Sequence, residues 1–420
     1  MYLIINIIGL FVFLGVAFLF SRDRKNIQWA SIATLVVLNL ILAWFFVYFP
    51  AGTLFVKKAA EGISWVIDAA FTGIGFAFHS FTAPKQLDMA VAALFPILLV
   101  VPLFDILMYL RILPWIMRGI GWVLAKITRQ PKFEAFFGIE MMFLGNTEAL
   151  AVSSEQLKRM KETRVLTLAM MSMSSVSGAI VGAYVTMIPG ELVLTAIPLN
   201  IVNAMIVASI LNPVKVEVDE DVIYDLRANE ARQPFFSFLG DSVLNAGKLV
   251  LIIIAFVISF VALAELADRL IHLVTGGIGH LFNAKGSFGL DQILGVFMYP
   301  FALLLGLPLD EAWLVAQNMA KKIVTNEFVV MGQIAGEVND YAPHRRAVIS
   351  TFLISFANFS TIGMIIGTLK GIVNEKTSDF VSKYVPMMLL AGILVSLLTA
   401  GFVGLFAHLL THVIESVLPT

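Results

Sequence analysis

The chain has 420 residues, of which 59% are hydrophobic and only 14% are charged, and its mean hydropathy is +0.91. A soluble globular protein is closer to half apolar and a quarter charged, so this composition excludes an ordinary soluble protein and favours one that faces lipid. The net charge of −1 offers no field for nucleic acid, and the lack of cysteine excludes disulfides, thiolate metal sites and thiol nucleophiles.

Apolar runs of about 20 residues, enough for a helix to cross about 30 Å of hydrocarbon, recur along the whole sequence. They predict transmembrane helices at 2–20, 28–49, 90–110, 165–188, 191–211, 248–268, 346–369 and 386–410. The first run lacks a small-residue cleavage site before Arg22, so we interpret it as a retained span rather than a signal peptide. Lys and Arg in most of the short loops place both termini outside the cell, although the His344-Arg345-Arg346 group opposes this orientation.

The segments between these runs are of three kinds. Residues 52–80 and 113–130 carry charged side chains at helical spacing and predict helices that lie along the membrane interface. Residues 132–164 and 290–345 are semi-apolar, interrupted by glycine and polar residues, and too polar to face lipid. Residues 215–233 are acidic and predict a surface loop.

Two interrupted segments resemble each other and form an internal repeat. In the first half, Phe-Leu-Gly-Asn-Thr-Glu (143–148) precedes Ser-Met-Ser-Ser-Val-Ser-Gly-Ala-Ile-Val-Gly (172–182). In the second half, Val-Thr-Asn-Glu (324–327) precedes Ser-Phe-Ala-Asn-Phe-Ser-Thr-Ile-Gly (355–363). Matching interrupted segments in two halves of a membrane protein indicate a transporter site near the middle of the bilayer.

The residue types in this repeat indicate the chemistry of the site. A carboxylate at membrane depth is costly, so Glu148 and Glu327 are expected to face the interior with polar partners. Asn, Thr and Ser supply neutral donors and acceptors, which suits an uncharged substrate with several hydroxyl groups. For residues 172–182 alone, close helix packing explains the small side chains equally well.

At these motifs the sequence resembles the concentrative nucleoside transporter family. The motifs are Gly-Asn-Thr-Glu (145–148), Thr-Asn-Glu-Phe-Val (325–329) and residues 355–363, and the topology agrees over nearly the whole chain. Residues 143–152 and 170–178 look most like the bacterial purine-nucleoside branch. The resemblance implies an all-α polytopic membrane protein in the bacterial cytoplasmic membrane. This would be a homotrimer whose mobile transport domain, with two re-entrant hairpins at 132–164 and 290–345, moves as an elevator within a scaffold.

The resemblance also implies which residues bind a nucleoside. The base is expected at Asn146, Thr147 and Glu148. The ribose is expected at Glu327, Asn358 and Thr361, with Phe356 as the aromatic side chain of the pocket.

The coupling ion is inferred from one departure from the family pattern. Members that bind sodium carry an Asn five residues before the amide of the first tip, where this chain has Met141, and a thioether is a poor ligand for a hard cation. We therefore expect proton coupling rather than sodium, with Glu148 and Glu327 as carriers and Glu140 as a third candidate if it does not lie on the surface. Asn146 replaces the Gln of many members, and the shorter amide leaves room for a purine.

Four regions follow from this interpretation: 1–112 with scaffold helices, 113–211 as the first repeat, 212–289 with the loop and a scaffold span, and 290–420 as the second repeat.

Membrane lipid and two further copies of the chain are the expected partners besides the substrate, and no cofactor, catalytic residue or metal site is expected. The alternatives are a sodium-coupled transporter of nucleosides or related hydroxylated solutes, a membrane-embedded hydrolase that uses Glu148 or Glu327, and a passive channel. Lys321-Lys322, in the second hairpin, could bind an anion, but extension of both side chains to the membrane interface is the simpler interpretation.

Overall fold

The protein was analysed as a computed structural model that describes residues 1–78, 88, 90–217, 220–221, 233–281 and 290–417. Within these ranges the regular structure is entirely helical. The first half contains α1 Tyr2–Leu19, α2 Trp29–Val47, α3 Pro50–Ala77, α4 Ile97–Tyr109, α5 Ile112–Thr128, α6 Lys132–Leu144, α7 Asn146–Val152, α8 Ser154–Lys158, α9 Glu162–Ser172, α10 Gly178–Val185 and α11 Gly190–Leu211. The second half contains α12 Phe235–Leu281, α13 Leu290–Leu304, α14 Leu309–Val324, α15 Glu327–Ile334, α16 Pro343–Leu353, α17 Phe359–Ile372, α18 Glu375–Lys383 and α19 Val385–Val417.

Long apolar helices occur at six of the eight places where the sequence predicts membrane spans. They are Tyr2–Leu19, Trp29–Val47, Ala90–Tyr109, Gly190–Leu211, Phe235–Leu273 and Val385–Leu410. Each is long enough to cross the hydrocarbon region of a bilayer. The multi-pass membrane architecture is therefore confirmed.

The other two predicted spans are not single helices, and this part of the prediction is wrong. The run at 165–188 is divided into α9 and α10 by residues 173–177, and the run at 346–369 is divided into α16 and α17 by residues 354–358. Both interruptions are rich in Ser or Asn, whose side chains offer the backbone hydrogen bonds outside a helix. In the second interruption the Asn358 side chain accepts a hydrogen bond from the Thr361 amide at 2.9 Å and starts α17.

The first hairpin has α6 and α7 as its arms, and they meet at Gly145. This glycine has a φ of +93°, and a Cβ there would lie 2.8 Å from the Ser177 Cβ. Glycine is therefore required at this tip both for the backbone conformation and for the close approach of the first interruption.

The second hairpin is shorter than the predicted range of 290–345. Its arms are α14 and α15, which meet at residues 325–326, whereas α13 is a separate helix that packs on α14 and on α1. The chain turns between α13 and α14 at Gly306, which has a φ of +77°. Pro308 then precedes α14 as its N-cap, so the Gly-Leu-Pro turn ends one helix and begins the next.

The internal repeat is visible in the structure as the same order of elements in both halves. A hairpin with a broken tip is followed by a broken helix, first as α6–α7 and α9–α10, then as α14–α15 and α16–α17. The halves interlock, because α7 packs on α17 and the ring of Tyr184 in α10 lies 5.2 Å from the ring of Phe328 in α15.

The two segments predicted to lie along the interface form the amphipathic helices α3 and α5. Helix α3 packs on α2 and α11, and α5 packs on α6. Trp115 and Trp122 on α5 are exposed, as is typical of side chains at a membrane surface. Their location in the interface remains a prediction.

Loops that the Lys and Arg pattern places on one side of the membrane do lie together. Arg22, after α1, donates to Asn212 Oδ1 at 2.6 Å and lies 4.3 Å from the centre of the Tyr384 ring. Lys376, before α19, forms an ion pair of 2.6 Å with Glu162 at the start of α9. The same end of the molecule therefore carries the loops after α1 and α11 and those before α9 and α19.

The described part of the acidic loop is attached to this end. Glu220 forms an ion pair of 2.6 Å with Lys161, and Asp221 accepts a hydrogen bond of 2.7 Å from the Lys132 amide at the start of the first hairpin. Arg164 donates to both carboxylate oxygens of Glu134 at 2.6 and 2.8 Å and is buried there. Residues 218–219 and 222–232 of this loop lie outside the described residues.

Candidate substrate site

One cavity, of about 660 Å³ including its mouth, lies between the hairpin tips, the helix interruptions and α12. All seven residues that the sequence assigns to substrate line it: Asn146, Thr147, Glu148, Glu327, Phe356, Asn358 and Thr361. The structure thus brings together residues that are up to 215 positions apart in the chain, from Asn146 to Thr361.

Glu327 is the most enclosed carboxylate of the cavity. It is the first residue of α15, where the positive end of the helix dipole favours a negative charge. Its Oε1 accepts a hydrogen bond from the Tyr184 hydroxyl at 3.0 Å, and its Oε2 accepts one from Asn358 Nδ2 at 3.0 Å. The preceding residue, Asn326, caps α15 by accepting from the Val329 amide at 3.1 Å. Cap and donors together fix the position of the carboxylate.

Asn358 is held by hydrogen bonds on both sides of its amide. Its Oδ1 accepts from the Thr361 amide at 2.9 Å, from Thr361 Oγ1 at 3.0 Å and from Ser360 Oγ at 2.7 Å. The amide oxygen is therefore fully used, and the NH₂ group is directed to Glu327. Asn358, Thr361 and Glu327 form one polar network on the second-repeat side of the cavity.

The tip of the first hairpin has one buried donor without a hydrogen-bond partner among the described residues. Asn146 Oδ1 accepts from the Thr147 amide at 2.8 Å, and Thr147 Oγ1 donates to Glu148 Oε2 at 2.8 Å. Asn146 is 3% exposed, and its Nδ2 has no hydrogen-bond partner among the described residues. A buried amide donor without a partner is costly, so a ligand acceptor at this position would satisfy it.

The part of the cavity lining that comes from α12 is apolar. It consists of Leu249, Ile252, Ile253 and Phe256. The cavity is therefore lined by apolar side chains together with a small number of hydrogen-bonding groups, as is typical of small-molecule sites.

Two residues at the site were not found from the sequence. Tyr184 lies within an apolar run, and no pattern marks its hydroxyl as a partner of Glu327. Lys322 was interpreted as reaching the interface, and this is wrong: it is 0% exposed, and its Nζ donates to Ser355 Oγ at 2.6 Å. The signal that was available is its spacing, five residues before Glu327 in the same hairpin.

Sodium-binding members of the family carry an Asn at the position of Met141, and in this structure that position is enclosed. Met141 is fully buried, and Ser172 Oγ lies 3.5 Å from its sulfur. The neighbouring Glu140 is 4% exposed and accepts a hydrogen bond from Ser153 Oγ at 2.9 Å, so the surface location considered for it is wrong. Glu140 is not among the residues that line the cavity.

Comparison with known families identifies the chain. Residues 192–404 match the family described as "Na+ dependent nucleoside transporter C-terminus", and residues 8–81 match the corresponding N-terminus. The chain is 44% identical over 406 residues to the "Purine nucleoside transport protein NupG" of Bacillus subtilis, covering 97% of this chain and 100% of that one. The protein belongs to the concentrative nucleoside transporter family.

Other members of this family agree along the whole chain. The "Nucleoside permease NupC" of Helicobacter pylori is 27% identical, with 97% of this chain and 98% of the permease covered. Among solved structures, the concentrative nucleoside transporter CNTnw in an inward-facing substrate-bound state matches with a TM-score of 0.87 and 25% identity, covering 97% of this chain and 99% of that one. A CNTnw variant in an outward-facing state matches with a TM-score of 0.89 and 25% identity, with the same coverage.

The family membership decides between the classes considered from the sequence. The relatives and the structural neighbours are transporters and permeases rather than enzymes, so the hydrolase alternative is excluded. The chain is a multi-pass membrane protein and a nucleoside transporter of the concentrative family.

Proposed function

We propose that this concentrative nucleoside transporter imports purine nucleosides across the bacterial cytoplasmic membrane and that a proton gradient drives the uptake. The observation that carries the nucleoside assignment is Asn146, which lines the cavity and whose Nδ2 has no hydrogen-bond partner among the described residues. Nucleobase rings present acceptor atoms at their edge, which an amide donor can bind. The 44% identity to a purine nucleoside transport protein supports purines as the preferred class of nucleoside.

The second-repeat side of the cavity suits the ribose. Glu327 is an acceptor for sugar hydroxyls, and Asn358 and Thr361 hold it in place. Phe356 lines the same cavity and offers an aromatic face. The sugar and the base would then be held by different repeats, so only an intact nucleoside would engage both hairpins.

Protons are the coupling ion that the donor set favours. The thioether of Met141 replaces the amide that sodium-binding members carry, and soft sulfur is a poor ligand for Na⁺. Two carboxylates, Glu148 and Glu327, line the cavity and can accept a proton without any further ligand. Sodium coupling, which the family description names, is the alternative that the experiment below separates.

Transport would proceed as an elevator movement of the hairpins and broken helices past α12, within a homotrimer. Support comes from CNTnw, which has been captured in an inward-facing state, and from its variants, which have been captured in an outward-facing and an intermediate state. Helix α12 also exposes large apolar side chains such as Leu251, Ile258 and Leu270, which need lipid or further copies of the chain as cover.

Uptake of radiolabelled adenosine into proteoliposomes tests this function. Vesicles are prepared with an inward proton gradient, an inward sodium gradient, or neither. Saturable uptake that only the proton gradient drives is the expected result. Uptake driven by sodium would retain the nucleoside assignment and refute the argument from Met141, whereas uridine uptake without adenosine uptake would refute the purine assignment.

A further inference from the structure

A lysine of the second hairpin is buried against the interruption between α16 and α17. Lys322 is 0% exposed in α14. Its Nζ donates to Ser355 Oγ at 2.6 Å and lies 5.1 Å from the centre of the Phe352 ring. Ser355 in turn shares a hydrogen bond of 2.6 Å with Ser396 of α19. These neutral partners orient the ammonium group but do not balance its charge.

A buried ammonium without a counter-charge is strongly disfavoured at membrane depth. Lys322 near the end of α14 and Glu327 at the start of α15 are buried on the two sides of the same hairpin tip, and their hydrogen-bond partners Ser355 and Asn358 belong to the same helix interruption. The two groups are separately hydrogen-bonded, the ammonium to Ser355 and the carboxylate to Tyr184 and Asn358. Hydrogen bonds to a charged form favour that form, so this arrangement stabilises a separated pair of opposite charges.

We propose that Lys322 is the fixed counter-charge of Glu327 and a positioning residue for transport. It keeps the Glu327 side chain charged, and thus able to accept ribose hydroxyls, although the side chain is enclosed. The other groups near this carboxylate do not supply that charge. Tyr184 and Asn358 are neutral, Glu148 is itself acidic, and the α12 residues that line the cavity are apolar.

This role rests on the proposed nucleoside transport, because the charged Glu327 carboxylate matters there as the acceptor of the ribose hydroxyls.

The test compares Lys322→Gln, Lys322→Arg and the control Lys321→Gln in proteoliposomes. The control removes a neighbouring charge, whose Nζ lies 3.4 Å from Gln333 on the exposed side of the hairpin. Adenosine accumulation driven by a proton gradient and an inside-negative potential is measured beside adenosine counterflow, which needs no net proton movement. Lys322→Gln is expected to lower accumulation at least about 10-fold relative to the control, because Glu327 loses its counter-charge.

Counterflow by Lys322→Gln is expected to fall together with accumulation, because both need the charged Glu327 to hold the ribose. Lys322→Arg, which retains the charge, should accumulate more adenosine than Lys322→Gln. Accumulation and counterflow by Lys322→Gln equal to those of the control would overturn the proposal. If the unaltered protein shows no adenosine counterflow at all, the proposed function fails, and this result is distinct from a failure of the counter-charge.

Thermal unfolding provides a second test that does not depend on transport. The variants are Lys322→Gln, Glu327→Gln and the double variant. If the two charges balance each other, removing both should restore part of the melting temperature that Lys322→Gln loses, because the double variant leaves no unpaired charge. A double variant that is less stable than either single variant, by the sum of their losses, would show that Lys322 acts through packing alone and would overturn the proposal.

Discussion

Tyr184→Phe removes a single oxygen atom from the candidate site. The Tyr184 hydroxyl donates to Glu327 Oε1 at 3.0 Å, and both residues are buried. The ring itself packs 5.2 Å from the ring of Phe328, and phenylalanine retains this contact. The substitution therefore changes one of the two hydrogen bonds to the carboxylate and leaves the shape of the core as it is.

The magnitude follows from the charge of the acceptor. A hydrogen bond to a charged group contributes about 1.5–3 kcal/mol, which corresponds to a factor of about 10 to 150. We expect the ratio kcat/KM for adenosine uptake to fall by a factor within this range, because the carboxylate loses one of the two side-chain hydrogen bonds that position it for ribose. Initial rates of radiolabelled adenosine uptake into proteoliposomes, measured over a range of concentrations, give this ratio.

Tyr109→Phe is the matched control, since it removes the same atom from a hydroxyl that donates to the Gln233 carbonyl at 3.0 Å, away from the cavity. Its uptake kinetics should be close to those of the unaltered protein. Unchanged kcat/KM in Tyr184→Phe would refute the view that the Tyr184 hydroxyl positions Glu327. A similar loss in both variants would assign the effect to folding.

Three further predictions concern the tips of the hairpins. Glu327→Gln should abolish accumulation of adenosine, because a neutral amide replaces the charged acceptor and a candidate proton carrier. Asn146→Gln should lower the ratio of adenosine to uridine uptake by about 10-fold or more, since the added methylene takes up space that a purine needs. Gly145→Ala should lower the melting temperature of the purified protein, because its φ of +93° and the approach of Ser177 leave no room for a Cβ, at a cost of about 1–3 kcal/mol.

Each of these has a result that would contradict it. Normal accumulation by Glu327→Gln would remove this residue from the site, and an unchanged uptake ratio in Asn146→Gln would show that amide length does not set the substrate. Gly119→Ala is the control for the tip glycine, since a Cβ at Gly119 would meet nothing within 4 Å. Equal melting temperatures of the two glycine variants would refute the strain argument.

The polar residues of the site could be predicted because they stand out against apolar surroundings. Asn146, Glu148 and Glu327 are unusual inside a membrane protein, and their repetition in two halves marks them as one site. Tyr184 does not stand out in this way, because tyrosines in apolar runs also occur as anchors at the membrane interface. Its role depends on a contact with Glu327, 143 positions away in the chain, and local sequence does not specify that contact.

Lys322 shows why residue type alone does not predict whether a charged side chain is buried or exposed. Long cationic side chains near a hairpin normally extend to the membrane surface, and the adjacent Lys321 has an exposed hydrogen bond. One residue further along the helix, the side chain points about 100° away and into the protein. The interruptions of α9–α10 and α16–α17 were missed for a related reason, because their apolar residues continue through the break, and only the Ser and Asn side chains show where the backbone leaves the helix.

The polar and the apolar residues that line the cavity would affect different properties of transport. The polar residues of the hairpins would determine substrate affinity, and the apolar residues of α12 would determine how easily the hairpins move past this helix. Leu249, Ile252, Ile253 and Phe256 offer only dispersion contacts, and one such contact is exchanged for an equivalent one when apolar surfaces slide past each other. An elevator movement along α12 would therefore break no hydrogen bond on that side. Substrate affinity would depend on the hairpins, and the turnover rate would depend on the apolar surface of α12. The two properties could therefore change independently during evolution.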